Sequence, residues 1–433
     1  MGLDDFKIIF DNPWSTYYPG QTVTGRVVIK INSAKKIRGI NCKIKGEANT
    51  CWATDRQEQN HEGRYENESQ TVTGHEEYFN MQYYLLGSAN ASEMELPPGE
   101  HVYPFTFSLP HSLPSSFEHD YGHIRYTVKA IIDRPWKFDQ ETKAAFSIVA
   151  NLDLNCEGRA MEPLHQELSK TFCCLCCGSA PLRVNVTMPV RGYVPGQAMS
   201  IRVNVDNQSG VIIEVVKLIL RKIVTFKANN PRICSRREKI VIAEVSKGPV
   251  EAGGTSDYEQ TLDIPALPPS NLTNCGLIDL EYNLKVEAVA QGWWHRNLKG
   301  NNLVFIGTVP LANYQSSIIP PVNKIDQQKG NDYQDKLADP TYGGYPSGYP
   351  AFTNTTDGSY PSVPPTAPPP PLDNNTGNPT TQPSLNIYPN MPPPSYEEAG
   401  WAVRSLRENN ENFHVIGNNN HFAPRYPVYK FSS

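Results

Sequence analysis

Tyr17-Tyr18-Pro19-Gly20-Gln21 and Tyr193-Val194-Pro195-Gly196-Gln197 each open a stretch in which apolar and polar residues alternate. The repetition continues beyond these pentapeptides. Each copy holds a glycine-led segment ending in an aliphatic-Pro step, Gly99 to Leu109-Pro110 and Gly254 to Ile264-Pro265. Each then holds a Tyr-x-aliphatic-Lys segment, Tyr126-Thr127-Val128-Lys129 and Tyr282-Asn283-Leu284-Lys285. A spacing this long exceeds the 20–50 residues or so of solenoid units, so the chain contains two copies of one domain in series.

Within each copy the period is two. Val27, Ile29 and Ile31 fall on one face while Arg26, Val28 and Lys30 fall on the other. Ile40, Cys42 and Ile44 alternate with Asn41, Lys43 and Lys45, and Ile201, Val203 and Val205 alternate with Arg202, Asn204 and Asp206. This alternation describes antiparallel strands with one wet face. Turn signals at Pro19-Gly20, Pro98-Gly99, Pro195-Gly196 and Gly253-Gly254 separate the runs. No long helical periodicity with caps competes. The expected fold is all-β: two tandem immunoglobulin-type β-sandwiches of roughly 140–150 residues each. The polar stretch 55–80 is expected as a loop or long hairpin inside the first sandwich.

Composition agrees. A chain of 433 residues predicts two or three domains, and an AVILMFWYC fraction of 39% lets each copy bury its own core. A net charge of −5 argues against nucleic-acid binding, which wants a basic face. No apolar run reaches the ~20 residues of a membrane span, and Met1-Gly2-Leu3-Asp4-Asp5 has no signal-peptide core, so the chain reads as soluble and cytoplasmic. Gly2 fails as a myristoylation site because position 6 is Phe. Nine cysteines, four of them crowded into 173–177, make no disulfide framework and fit a reducing compartment. Asn-x-Ser/Thr sequons at Asn67, Asn90 and Asn271 then read as chance matches.

The division expected along the chain is a first sandwich at 5–150, a linker with the cysteine cluster at 151–178, a second sandwich at 179–312 and a tail at 313–433. Residues 314–433 hold 20 of the 38 prolines and few aliphatics. Such a segment buries too little apolar surface to offset its ordering entropy, so a disordered Pro-rich tail is expected.

Four groups of residues invite a functional reading. Pro393-Pro394-Ser395-Tyr396 is a Pro-Pro-x-Tyr motif: a pre-extended polyproline II segment offers flat rings to the aromatic groove of a WW domain, and the tyrosine fills the next pocket. Pro365-Thr366-Ala367-Pro368 matches a late-domain motif bound by an ESCRT-I subunit, and equally reads as part of the proline spacer that follows it. Cys173, Cys174, Cys176 and Cys177 have three readings: buried thiols, palmitoylated membrane anchors, or zinc ligands, the last crowded for one tetrahedral ion. Lys30, Lys35, Lys36, Arg38, Lys43 and Lys45 form either a contact for phosphorylated tails or anionic lipid, or a solvated strand face. No catalytic constellation emerges: His101, His111, His119 and His123 lack a metal spacing, and neither a Gly-x-Ser-x-Gly nor a phosphate loop occurs. No enzyme, cofactor or metal is expected.

The paired openings, Leu113-Pro114-Ser115-Ser116-Phe117-Glu118 followed by Ile124 to Ala130, Arg134-Pro135-Trp136, the cysteine cluster and Phe305-Ile306-Gly307-Thr308-Val309-Pro310 together resemble the α-arrestins, the arrestin domain-containing proteins. The resemblance covers roughly 5–312 and reaches the Pro-Pro-x-Tyr. It implies tandem arrestin-like sandwiches and a non-enzymatic trafficking adaptor. Such an adaptor links receptor or transporter cargo to WW-domain HECT ubiquitin ligases, promoting ubiquitination, endocytosis and endosomal sorting, peripherally at plasma membrane and endosomes. Relatives carry two Pro-Pro-x-Tyr motifs where this tail has one. Two alternatives stand beside it: a sorting-coat component resembling retromer subunits, and a redox-regulatory binder of thiol proteins through a cysteine such as Cys234.

Overall fold

The computed structural model describes residues 3–59, 65–88, 90, 92–174, 177–178, 180–312, 394–400, 403–407 and 415–431. Two sandwiches follow one another, as the duplicated pattern predicts. In the first, Leu3–Phe10, Thr22–Ile31 and Gly99–Ser108 form one antiparallel sheet. The facing sheet runs Thr16–Tyr17, Gln140–Ile148, Gly122–Asp133, Gly39–Gln59 and Tyr65–Gly87, with Phe117–His119 on Gly122–Asp133. In the second, Leu164–Lys170, Leu182–Met188, Ala198–Asn207 and Thr255–Asp263 face Gly192–Tyr193, Leu298–Ile306, Ile278–Ala290, Ile213–Ala228 and Cys234–Lys247. The alternating residues fall as their period requires: Val27, Ile29, Ile40, Cys42, Ile44, Ile201, Val203 and Val205 are all buried.

The repeated pentapeptide has one physical job in both copies. Pro19 and Pro195 occupy the second position of a four-residue turn, and Gly20 and Gly196 take positive φ of 82° and 93° at the third. That is the geometry of a type II turn, which glycine enters without steric cost. The glutamine closes the turn twice. Its backbone N–H donates to the first residue (Gln21 to Tyr18 and Gln197 to Val194, both 3.1 Å). Its side-chain oxygen accepts the N–H of that same residue, at 2.8 Å in the first copy and 2.9 Å in the second. The tyrosine ahead of each turn lies in a short strand that runs parallel to the last strand of its own sandwich. The Tyr-x-aliphatic-Lys tyrosines are likewise equivalent: Tyr126 and Tyr282 are fully buried and donate their hydroxyls to Pro114 O and Pro268 O, at 2.7 and 2.8 Å. Burial without a partner would leave each phenol unsatisfied, so the preceding proline carbonyl is part of the repeat.

The long hairpin expected within 55–80 is present: Gly39–Gln59 pairs with Tyr65–Gly87. Two expectations need adjustment. The connection between the sandwiches is shorter than 151–178, since Leu164–Lys170 pairs with Leu182–Met188 as an edge strand of the second. Only Leu164 in that strand is fully buried, so its sequence lacks an apolar face. The tail, expected to be unstructured to its end, contributes Ser395–Glu398, Arg404–Ser405, His421–Phe422 and Arg425–Val428 as strands against the sandwiches. Averaging over 314–433 concealed the apolar cluster Val415, Phe422, Tyr426, Val428 and Tyr429 at its end.

Among the described residues no helix is long and apolar enough to cross a membrane.

Candidate functional site

The Pro-Pro-x-Tyr motif lies where the tail returns to the sandwiches. Ser395–Glu398 runs antiparallel to Arg425–Val428, with Tyr396 opposite Pro427 and Glu397 opposite Tyr426. The Tyr396 hydroxyl is 3.0 Å from the Tyr18 hydroxyl, and its ring lies 6.3 Å from that of Trp14. Tyr18 belongs to the first repeated turn. Burial, and next the neighbouring Tyr396, push the Tyr18 phenol well above its ordinary range, so Tyr18 keeps its proton at physiological pH. Tyr396 itself is half-buried.

The partner strand is anchored more deeply. Tyr426 is fully buried and donates its hydroxyl to Ser116 O at 2.8 Å. Arg425 joins three pieces of chain: its backbone N–H donates to Ser147 Oγ (3.0 Å), and its guanidinium donates to Trp14 O (3.2 Å) and to Glu398 (2.8 Å). Tyr429 reaches the second repeated turn, where its N–H donates to Pro195 O at 3.0 Å and its hydroxyl to Thr308 O at 2.6 Å. A Cβ built on Gly196 would lie 2.0 Å from Tyr429 O, so glycine there serves the docked tail as well as the turn. Ala399, Val149 and Tyr426 pack together with Tyr18 against them. Further along, Arg404 pairs with Asp120 at 2.6 Å and Lys143 Nζ donates to Leu406 O at 3.3 Å. Ile416 exchanges backbone hydrogen bonds with Glu141 and Lys143.

Arg425, Tyr426 and Tyr429 were not singled out from the sequence. The available signal was spacing: Tyr426, Tyr429 and Phe431 crowd into a few residues, but the tail carries many other tyrosines, so the cluster did not stand out.

The other candidate residues are distributed as follows. Pro393 and the whole of Pro365, Thr366, Ala367 and Pro368 lie outside the described residues, as does Cys176. Cys173–Cys174 and Cys177–Gly178 form a two-residue antiparallel ladder. Arg38 is paired with Asp133 at 2.6 Å and Lys45 with Glu47 at 2.6 Å. Lys43 stands opposite Lys129 in the sheet, and Lys36 opposite Glu95. Lys35 lies near Arg134 and Lys137; burial, and then those two charges, lower its pKa. Cys234, named in the redox alternative, is a half-buried free thiol.

Comparison with known proteins agrees with this architecture. The arrestin (or S-antigen) N-terminal domain profile matches residues 6–155, and the arrestin (or S-antigen) C-terminal domain profile matches 178–311. Arrestin domain-containing protein 17 of Caenorhabditis elegans is 33% identical over 66% of this chain and 67% of its own length. Arrestin domain-containing protein 1 of Rattus norvegicus is 30% identical over 66% of this chain and 61% of its own, and arrestin domain-containing protein 4 of Mus musculus 27% identical over 70% and 71%. The match therefore spans only about two thirds of these relatives' lengths. The chain belongs to the arrestin domain-containing proteins, the α-arrestin family.

Proposed function

We propose that this arrestin-like protein is an adaptor that brings a WW-domain HECT ubiquitin ligase to membrane cargo. The sandwiches hold a receptor or transporter, and Pro393, Pro394 and Tyr396 capture the ligase. Ubiquitin transfer is then chemistry of the ligase, followed by endocytosis and endosomal sorting of the cargo. The observation that carries the reading is the motif itself, on a chain with a family-defined pair of domains, with Pro394, Ser395 and Tyr396 only half-buried. Joining cargo site and motif in one chain raises the local ligase concentration, by an amount that falls as the connection lengthens.

The docked geometry adds a condition. WW grooves take the motif as polyproline II, a conformation with no internal backbone hydrogen bonds, and insert the tyrosine ring into a pocket. Here Ser395 and Tyr396 are paired as a strand and the tyrosine ring meets Tyr18 and Trp14. The two states exclude each other. The apparent affinity of the whole chain is thus its intrinsic affinity reduced by the fraction of undocked tails.

The test is titration of isolated WW domains against a peptide covering 388–400, and against the full chain. A Tyr396→Ala peptide is expected to bind roughly ten-fold more weakly or worse, because a buried ring is lost. Full-length Tyr426→Ala, which removes the anchor of the partner strand, is expected to bind more tightly than the full-length wild type. Equal affinities for the two peptides would reduce the motif to proline spacer and remove the ligase from the reading.

A further inference from the structure

The two sandwiches close one edge of the longer sheet in the same way. In the first, Ser147 N and Val149 N donate outward to Ser15 O and Tyr17 O. In the second, Phe305 N and Gly307 N donate outward to Arg191 O and Tyr193 O. Alternation by two carries that outward direction back along each edge strand. In the first sandwich it reaches Lys143, and there the returning tail pairs: Lys143 N donates to Ile416 O at 2.9 Å, and Ile416 N donates to Glu141 O at 2.8 Å. In the second it reaches Leu303, Asn301 and Lys299, which stand opposite Asn283, Lys285 and Glu287 of the neighbouring strand. Their backbone N–H and C=O groups point away from the sheet, and no described segment pairs with them. Lys299 and Asn301 are exposed and Leu303 is half-buried. The second copy therefore carries open the edge that the first copy has occupied.

We propose that this edge, Lys299 to Leu303, is a strand-addition site for an extended segment of a partner protein in which acidic and aliphatic residues alternate. Unpaired main-chain groups supply the attraction in such pairing, and the side chains beside the edge supply the selection. Those side chains are basic. Lys285 and Lys299 share a single acid, Glu287. The Arg221 guanidinium is held by carboxamide oxygens rather than by a carboxylate, those of Asn283 (3.1 Å) and Asn301 (2.6 Å). Three cations thus face one carboxylate, which favours acidic side chains on the added strand. Next to them a depression lined by Asn283, Asn301, Leu303 and the buried Ile223 offers apolar surface to an aliphatic side chain. The same charges argue against a second copy of this chain as the occupant. Two such edges paired together set Lys299, Lys285 and Arg221 against their own counterparts, and like charges across a ladder are destabilising. This inference does not depend on ligase recruitment.

The experiment is fluorescence-anisotropy titration of the full chain against two labelled synthetic peptides, one alternating Glu with Val and the other alternating Lys with Val. Wild type is expected to bind the Glu peptide and to prefer it over the Lys peptide by roughly ten-fold or more. Asn301→Pro removes one outward N–H without touching the inner ladder, as proline on an edge strand can, and is expected to weaken binding roughly ten-fold or more. Arg221→Gln/Lys299→Gln is expected to shrink the preference between the peptides. A second measurement needs no variant: hydrogen exchange of the 298–306 amides in wild type is expected to slow when the Glu peptide is added. Failure of the Glu peptide to bind, equal affinity for both peptides, or equal binding by wild type and Asn301→Pro would overturn the proposal. So would protection of 299–303 that is already complete without peptide, since the occupant would then be a segment of this chain.

Discussion

Arg125→Ala is expected to destabilise the first sandwich by about 3–5 kcal/mol, the usual penalty when one half of a buried ion pair is removed. Arg125 and Glu118 meet as two parallel hydrogen bonds, Nε to Oε1 and Nη2 to Oε2, both at 2.7 Å, with the side chains only 4% and 1% exposed. Burial pushes the Glu118 carboxyl up, and the Arg125 guanidinium pulls it back. Without the arginine burial is opposed only by the weaker pull of the Arg404 and Lys143 charges, and the group must either stay charged in a dry site or take up a proton. Its folded pKa then lies above the unfolded value of about 4.3, so stability is lost as pH rises between the two. The variant should accordingly recover part of its deficit at pH 5 relative to pH 7. Replacing both partners, Arg125→Met with Glu118→Leu, is expected to cost far less, because no charge is stranded. Urea unfolding midpoints of the full chain at both pH values decide the matter. A single variant within ~1 kcal/mol of wild type would show that the pair contributes little beyond its own desolvation.

The parts of this fold that were legible in the sequence are those governed by local chemistry. Pro-Gly-Gln reads as a closed turn because proline sets φ, glycine supplies positive φ and glutamine reaches back. Ile40, Cys42 and Ile44 read as one face of a strand because the side-chain period is two. What escaped depends on partners far along the chain. Leu164–Lys170 is an edge strand whose pairing with Leu182–Met188 supplies what its polar sequence cannot. Tyr426 and Tyr429 find their acceptors at Ser116 and Thr308, 310 and 121 residues away, and no local pattern announces that. The Pro-Pro-x-Tyr was legible as a motif, while its pairing with Arg425–Val428 was not. Arg38 shows the same limit: Asp133, with which it pairs, is remote in sequence and adjacent in space.

Lys222→Met is expected to stabilise the protein, by an amount that shrinks as pH rises. Lys222 lies within Ile213–Ala228, is 0% exposed, and its Nζ sits 5.6 Å from the centre of the Phe117 ring of the first sandwich. Burial drives its pKa down from 10.5 to about 6. His119, nearby, is also lowered, first by burial and then by the Lys222 charge; Asp120 and Glu238 oppose this and Arg404 adds to it. Between about pH 6 and pH 10 the unfolded chain therefore binds a proton at Lys222 that the folded chain does not. The sign follows: wild-type stability rises with pH through this window, by up to about 1.4 kcal/mol per unit from this group alone. Below pH 6 the proton is bound in both states, the ammonium is buried, and the slope vanishes. Methionine has comparable length and no charge, so it keeps the packing against Phe117 and removes the slope. The gap between the two proteins should be largest at pH 6 and narrow steadily toward pH 9. Urea midpoints of wild type and Lys222→Met at pH 6, 7.5 and 9 measure it, and the His119 resonance should titrate at higher pH in the variant. A gap independent of pH would mean that Lys222 keeps its proton in the folded state, with the Phe117 ring and surrounding groups stabilising the charge.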